Sequence, residues 1–299
     1  MNEIKNILIC GLGAIGGYYA TKIFESGYNL KILVDGNRLK KYKTTPRIIN
    51  GKEYDFDYVL PEGKNYTADL IIIATKSDGL DRAIKNISDF IGDKTIILSF
   101  LNGVKSEEKI IEKYGDKVLY SYLLGHTFFR KGNSITHDGL ATIHYGSKKE
   151  NDSRVSIIKD FFEKINAAYK IEDDIITSLW KKFCFNCCAN QISAITRMTF
   201  GEMLNSEKCL ELIKNICAEI SQIAEREGIK GLDFYRTVLD EYRLMIPDGK
   251  TSMLQDVESG KKPEVDIFGE TVVEMGKTHG IDTPYNKVIS EILGTLNFS

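Results

Sequence analysis

Apolar positions in the first half of the chain come in short runs, separated by stretches with helical spacing. The runs at residues 7–10, 30–34, 70–75, 95–100 and 118–122 predict strands. Residues 14–25, 80–91 and 106–114 carry the 3.6-residue period of helices. Near-continuous apolar strands that alternate with helices predict a parallel sheet covered on both faces. Residues 136–146, punctuated by Gly139 and Gly146, predict late strands at the sheet edge, followed by a helix over 154–165 and a strand over 168–171. Beyond Asp173 the pattern turns helical, with segments at 174–194, 207–227, 232–245 and 265–279. Thr283-Pro284 is expected to cap a last helix running to Leu296, with Pro at its first position. The predicted class is α/β: an N-terminal Rossmann-type doubly wound sheet over 1–172 and an all-helical domain over 173–299.

Composition narrows the functions. The 299 residues suffice for two domains, and a net charge of −2 gives no reason to expect a nucleic-acid partner. No run of 18 apolar residues and no apolar leader precede or interrupt the pattern, so neither a membrane partner nor secretion is expected, and the expected compartment is the cytoplasm. Six cysteines fit that compartment. Cys184-x-x-Cys187-Cys188 has the look of a ligand motif, but it sits in an apolar helix without a second pair or a nearby histidine. The expectation there is small buried hydrophobes and no metal.

The first candidate chemistry is Gly11-Leu12-Gly13-Ala14-Ile15-Gly16, placed between a strand and a helix. Gly11 permits the tight turn, Gly13 lets a pyrophosphate approach the backbone, and Gly16 lets helix and strand pack closely. Asp35, at the end of the second strand, is placed to bond a ribose 2′-hydroxyl and to favour NADH over NADPH. Arg38, Lys40 and Lys41 follow it and could offset that preference.

The second candidate lies on the first long helix of the helical half. Lys182, Asn186 and Asn190 are four residues apart and form one stripe at the edge of the apolar face, while Lys181 falls on the side expected to be solvated. His126 and His144, in the strand-rich half, are expected to be structural. Thr251-Ser252-Met253 with Asp256, and then Glu264-Val265-Asp266, complete the pattern. Read singly, Ser252 also fits a helix N-cap, Glu264 a helix start, and Asn102-Gly103 a plain turn.

Taken together, the glycine fingerprint, Leu101-Asn102-Gly103-Val104, Trp180-x-Lys182-x3-Asn186-x3-Asn190, and the Thr-Ser-Met and Glu-Val-Asp segments resemble ketopantoate reductases (2-dehydropantoate 2-reductases) over essentially the whole chain. The resemblance implies hydride transfer from NAD(P)H to the keto carbon of ketopantoate, a step of pantothenate synthesis. By the same resemblance Lys182 is the general acid, Glu264 binds a substrate hydroxyl, Asn186 and Asn190 bind substrate oxygens, and Ser252 binds the carboxylate. Asn102 and Lys76 would lie along the cofactor. NADPH is the usual family choice, and the helical half would hold the small-molecule substrate and the contact of any homodimer. Phe200 and Gly249 replace polar substrate contacts of typical members, which implies a more apolar pocket. A D-2-hydroxyacid dehydrogenase of mandelate type, acting on branched or aromatic 2-keto acids with NAD, is the alternative on the same fold. A nucleotide-sensing module without catalysis is the alternative of another class, and would need neither Lys182 nor Glu264.

Overall fold

Two compact units, Met1–Ile175 and Ile176–Ser299, make up the computed structural model, which describes residues 3–63, 65–125 and 128–296. His126 lies outside the described residues. In chain order the first unit runs β1 (Asn6–Cys10), α1 (Ala14–Glu25), β2 (Asn29–Leu33), α2 (Gly36–Thr44), β3 (Arg47–Ile49), β4 (Lys52–Tyr54), β5 (Tyr58–Val59) and β6 (Ala68–Ile73). It continues with α3 (Leu80–Asn86), β7 (Ile91–Ser99), α4 (Ser106–Tyr114), β8 (Val118–Leu124), β9 (Phe128–Lys131), β10 (Ser134–His137), β11 (Thr142–Gly146), α5 (Ser153–Lys164) and β12 (Ala168–Ile171).

The main sheet has eight strands in the order β12-β11-β8-β7-β6-β1-β2-β5. All neighbours are parallel except β8 and β11. Successive residues of β1 serve opposite faces: Ile7 and Ile9 join Tyr18, Tyr19 and Ile23 of α1, whereas Leu8 and Cys10 join Leu80, Ala83 and Ile84 of α3. Both faces are therefore buried, which is why these strands read as unbroken apolar runs. β1 lies between β2 and β6, so the connections diverge on its two sides. In doubly wound sheets that point opens a crevice at the carboxyl ends of the strands.

A second sheet, β4-β3-β10-β9, corrects the expectation that residues 136–146 lie together at the main sheet's edge. Only β11 joins the main sheet, and β12 is its edge. β10 instead pairs with β3 and β9. The hairpin β3–β4 turns at Asn50-Gly51, whose φ values of 46° and 82° are those of a type I′ turn.

Glu107, in the first turn of α4, is almost fully buried. Its carboxylate accepts from Ser106 Oγ at 2.7 Å and from the Ser121 amide at 3.5 Å. Burial nonetheless pushes its pKa up from 4.5 to about 7. The folded state thus binds the proton more tightly than the unfolded chain, and stability should fall as pH rises from about 4.5 through about 7. Glu107→Gln should flatten that decline, worth at most about 3 kcal/mol. Melting temperatures of both proteins across this pH range provide the check, and an unchanged slope would exclude Glu107 as its source.

The second unit contains α6 (Ile175–Thr196), α7 (Phe200–Leu204), α8 (Glu207–Arg226), α9 (Phe234–Leu244), α10 (Ser252–Glu258), α11 (Gly269–His279) and α12 (Pro284–Gly294). α6 is buried through most of its length, as expected of a helix enclosed by its neighbours. The expected helix over 265–279 begins only at Gly269, because residues 263–268 form turns closed by Val265 N to Pro263 O and Phe268 N to Val265 O. α12 is capped differently from the sequence expectation. Thr283 makes no side-chain cap, and the buried Glu219 of α8 instead accepts from the Tyr285 and Asn286 amides at 2.7 and 3.1 Å. Among the described residues, no helix is long and apolar enough to cross a membrane.

Candidate active site

The cofactor-binding candidates follow the carboxyl ends of β1, β2, β6 and β7. Gly11 has φ +106°, and a Cβ there would lie 2.6 Å from Ala74 O. A Cβ on Gly16 would lie 1.9 Å from Gly11 O, so α1 seats directly on the turn. Gly13 is the N-cap of α1, and its missing Cβ would meet nothing nearer than Ala74 O at 4.0 Å. No side chain caps this helix and its first turn holds no acid. An open backbone surface, uncapped amides and the positive end of a 12-residue helix suit a pyrophosphate. Leu12 is buried beneath the turn, and Ala14 and Ile15 are half-buried in the first helical turn. Lys76 is exposed just past β6, and Asn102 is half-buried just past β7, both at the carboxyl ends of parallel strands.

Asp35 has a local duty that the sequence reading did not assign. It is the N-cap of α2, and its Oδ1 accepts from the Arg38 amide at 2.8 Å. Its Oδ2 lies 3.8 Å from Arg38 Nε. Two more arginines in this unit escaped the sequence reading, because they arrive from the second sheet. Arg47 of β3 is 1% exposed, donates to Tyr42 Oη at 2.8 Å and stacks on that ring at 4.3 Å. No carboxylate pairs with it among the described residues. Arg130 of β9 has its pKa lowered by desolvation and by the charges of Arg47 and Arg38. Asp35 therefore sits in a positive neighbourhood.

In the second unit, Lys182 and Asn186 are half-buried and Asn190 is buried on α6. Lys181 is half-buried as well, so the solvated position expected for it is not observed. α6 is enclosed too completely to leave a freely solvated face there. Two fully buried neighbours, Gln191 and Ser193, connect α6 to both remaining motifs. Ser193 Oγ contacts Thr251 Oγ1 at 2.6 Å and donates to Asn190 O at 3.1 Å. Thr251 caps α10 through the Leu254 amide, which places the exposed Ser252 at the first helical position. Gln191 Oε1 accepts from the Gly269 amide at 3.0 Å and so anchors the end of the turn segment that holds the half-buried Glu264. These buried hydrogen bonds fix the two segments relative to the lysine-bearing helix. Sequence reasoning passed over Gln191 and Ser193, which carry no motif signal of their own.

Phe200 and Gly249 are in direct contact. The Phe200 amide donates to Gly249 O at 3.2 Å, and a Cβ on Gly249 would lie 2.8 Å from Ile246 O and 3.3 Å from the Phe200 ring. That ring packs against Tyr242 at 5.6 Å and Phe185 at 6.3 Å. His144, by contrast, is engaged structurally in the first unit, with Nδ1 2.6 Å from Glu172 Oε1 and its ring stacked on Tyr122 at 4.7 Å.

Comparison with known proteins bears on each unit in turn. Residues 7–150 match the family model described as ketopantoate reductase PanE/ApbA, and residues 174–297 match its C-terminal model. The 2-dehydropantoate 2-reductase of Aquifex aeolicus is 26% identical, over 97% of this chain and 96% of its own. The ternary structure of D-mandelate dehydrogenase with NADH and anilino(oxo)acetate shares the fold with a TM-score of 0.83, at 22% identity over 97% of each chain. The ketopantoate reductase of Ralstonia eutropha JMP134 shares it with a TM-score of 0.79, at 21% identity over 97% of each chain.

Proposed function

The chain belongs to the ketopantoate reductase family, and on that premise we propose that it reduces the keto carbon of a 2-keto acid, ketopantoate before others, with Lys182 as general acid. The observation that carries the reading is the α6 stripe Lys182–Asn186–Asn190, tied through buried Ser193 and Gln191 to the segments bearing Ser252 and Glu264. The open, uncapped turn at Gly11–Gly16 supports a nicotinamide dinucleotide as the partner.

A bound NAD(P)H supplies the hydride in this chemistry. The Lys182 ammonium donates a hydrogen bond to the keto oxygen, stabilises the developing alkoxide and gives up its proton. Asn186 and Asn190 orient substrate oxygens through their amides. Ser252 donates to the carboxylate, and Glu264 accepts from a substrate hydroxyl. Oxidation of the cofactor on addition of ketopantoate tests this reading. Cofactor binding without turnover on any 2-keto acid would favour a nucleotide sensor. Phe200 favours a second reading, in which a branched or aromatic 2-keto acid is the better substrate. We place the enzyme in the cytoplasm, where its six free thiols stay reduced.

For cofactor choice, Asp35 Oδ2 remains for a ribose 2′-hydroxyl, whereas a 2′-phosphate would meet its charge. NADH should therefore be preferred over NADPH, with Arg38 limiting the margin. Asp35→Asn keeps a good N-cap and removes the charge. It should move the ratio of catalytic efficiencies toward NADPH by roughly tenfold, about 1.4 kcal/mol. A strong NADPH preference in the unmodified enzyme would mean that the basic residues prevail, and Arg38→Ala should then abolish it.

A further inference from the structure

Three sulfurs converge inside the second unit. Cys184 and Cys188 lie one turn apart on α6, and Cys217 reaches them from α8. The Sγ atoms of Cys184 and Cys188 are each 3.6 Å from Cys217 Sγ, and all three lie within 4.8 Å of one another. None of the three residues is more than 1% exposed. The sequence spacing around Cys187 did not reveal this cluster, because its third member comes from another helix.

We propose that this triangle is a binding site for a soft monovalent metal ion, Cu(I), held by three cysteine sulfurs. An ion about 2.3 Å from each of three sulfurs in one plane sets them about 4 Å apart, close to the separation that the packing already provides. Thiolates suit Cu(I), Zn(II) and iron–sulfur clusters, and of these Cu(I) is satisfied by three sulfurs. Zn(II) takes four ligands, and the described residues offer no fourth cysteine, histidine or carboxylate in this group. Each sulfur ligates as a thiolate, so three S–H bonds break, three S–Cu bonds form and three protons leave to solvent without electron transfer. Binding therefore releases protons and strengthens as pH rises. An ion here would pin α6 to α8 within the segment that carries Lys182 and Asn186.

Anaerobic titration of the full-length reduced protein with Cu(I), in competition with a Cu(I)-specific chelator, is the test. One equivalent should be retained, with thiolate-to-copper absorption in the ultraviolet and a rise in melting temperature. Cys217→Ser and Cys188→Ala should each weaken retention by at least tenfold, whereas Cys187→Ser should still hold one equivalent. The pair of variants keeps the test open if one of them fails to fold. Zn(II) should not be retained. Copper held equally well without Cys217, no retention by the folded wild type, or conversion of Cys217 to a disulfide in place of copper binding would each overturn the proposal.

Discussion

Lys182→Ala should lower turnover about 100-fold or more while cofactor affinity stays within a factor of about two, the scale expected when a positioned general acid is removed. Lys182 lies on the same stripe as Asn186, one helical turn on, and the buried Asn190, two turns on, where the stripe meets the polar network of Gln191 and Ser193 that holds the segments bearing Ser252 and Glu264. An alkoxide without a donor must take its proton from water, and the charge that develops on oxygen loses its countercharge. Turnover and catalytic efficiency should therefore fall together, the pattern of an interaction made in the transition state. Lys181→Ala is the control. Its side chain is half-buried, so some stability is lost with its packing, but turnover should change little. Equal losses in the two variants would remove the role assigned to the stripe. Steady-state kinetics with a parallel cofactor titration separate these outcomes.

Gly16→Ala should weaken cofactor binding by roughly 5- to 100-fold, the equivalent of about 1–3 kcal/mol of forced displacement. The added Cβ would lie 1.9 Å from Gly11 O and 3.3 Å from Ala74 Cβ, and the first of these contacts is backbone that no rotamer change can relieve. Either α1 moves off the turn or the turn opens, and both displace the amides meant for the pyrophosphate. Gly27→Ala, at a loop glycine with open space around it, controls for a general loss of glycine, although its φ of +76° carries a local cost. Nicotinamide fluorescence titration of both variants, with melting curves to confirm folding, reads the effect. Unchanged affinity in Gly16→Ala would show that the turn is not where the dinucleotide sits.

The parts of the fold that were legible in the sequence are those whose residues answer to one local rule. The run at 7–10, the glycine turn and the following helix are buried on both faces or uncapped by necessity, and their spelling reflects it. The second sheet was not legible as such, because β3 and β4 are three-residue strands and their hairpin joins the sheet only through β10, far along the chain. Asn50-Gly51 was the available signal, a pair suited to the positive φ values found there. Thr199 and Glu202 likewise spell the capping box that starts α7. The helix expected from residue 265 shows the opposite failure. Apolar spacing continued through Val265, Ile267 and Phe268, but Pro263 and the turn hydrogen bonds hold that stretch out of the helix. In the site, the stripe on α6 followed from helical geometry. Gln191, Ser193, Arg47, Arg130 and Cys217 did not, since their significance comes from which other element they meet.

The ratio of catalytic efficiencies for ketopantoate and 2-ketoisovalerate, measured side by side on the unmodified enzyme, tests the central claim most directly. The two differ by a hydroxymethyl group, from whose hydroxyl Glu264 is proposed to accept a hydrogen bond. A site built to bond that hydroxyl leaves its polar group unpaired with the analogue that lacks it, which in favourable cases costs about 10⁴-fold or more. The loss of polarity at Phe200 and Gly249 tempers the expected ratio. Ketopantoate should still prevail by at least about tenfold, a difference of about 1.4 kcal/mol. A preference for 2-ketoisovalerate, or for an aromatic 2-keto acid, would contradict ketopantoate reduction and would favour the reading with an apolar 2-keto acid as substrate.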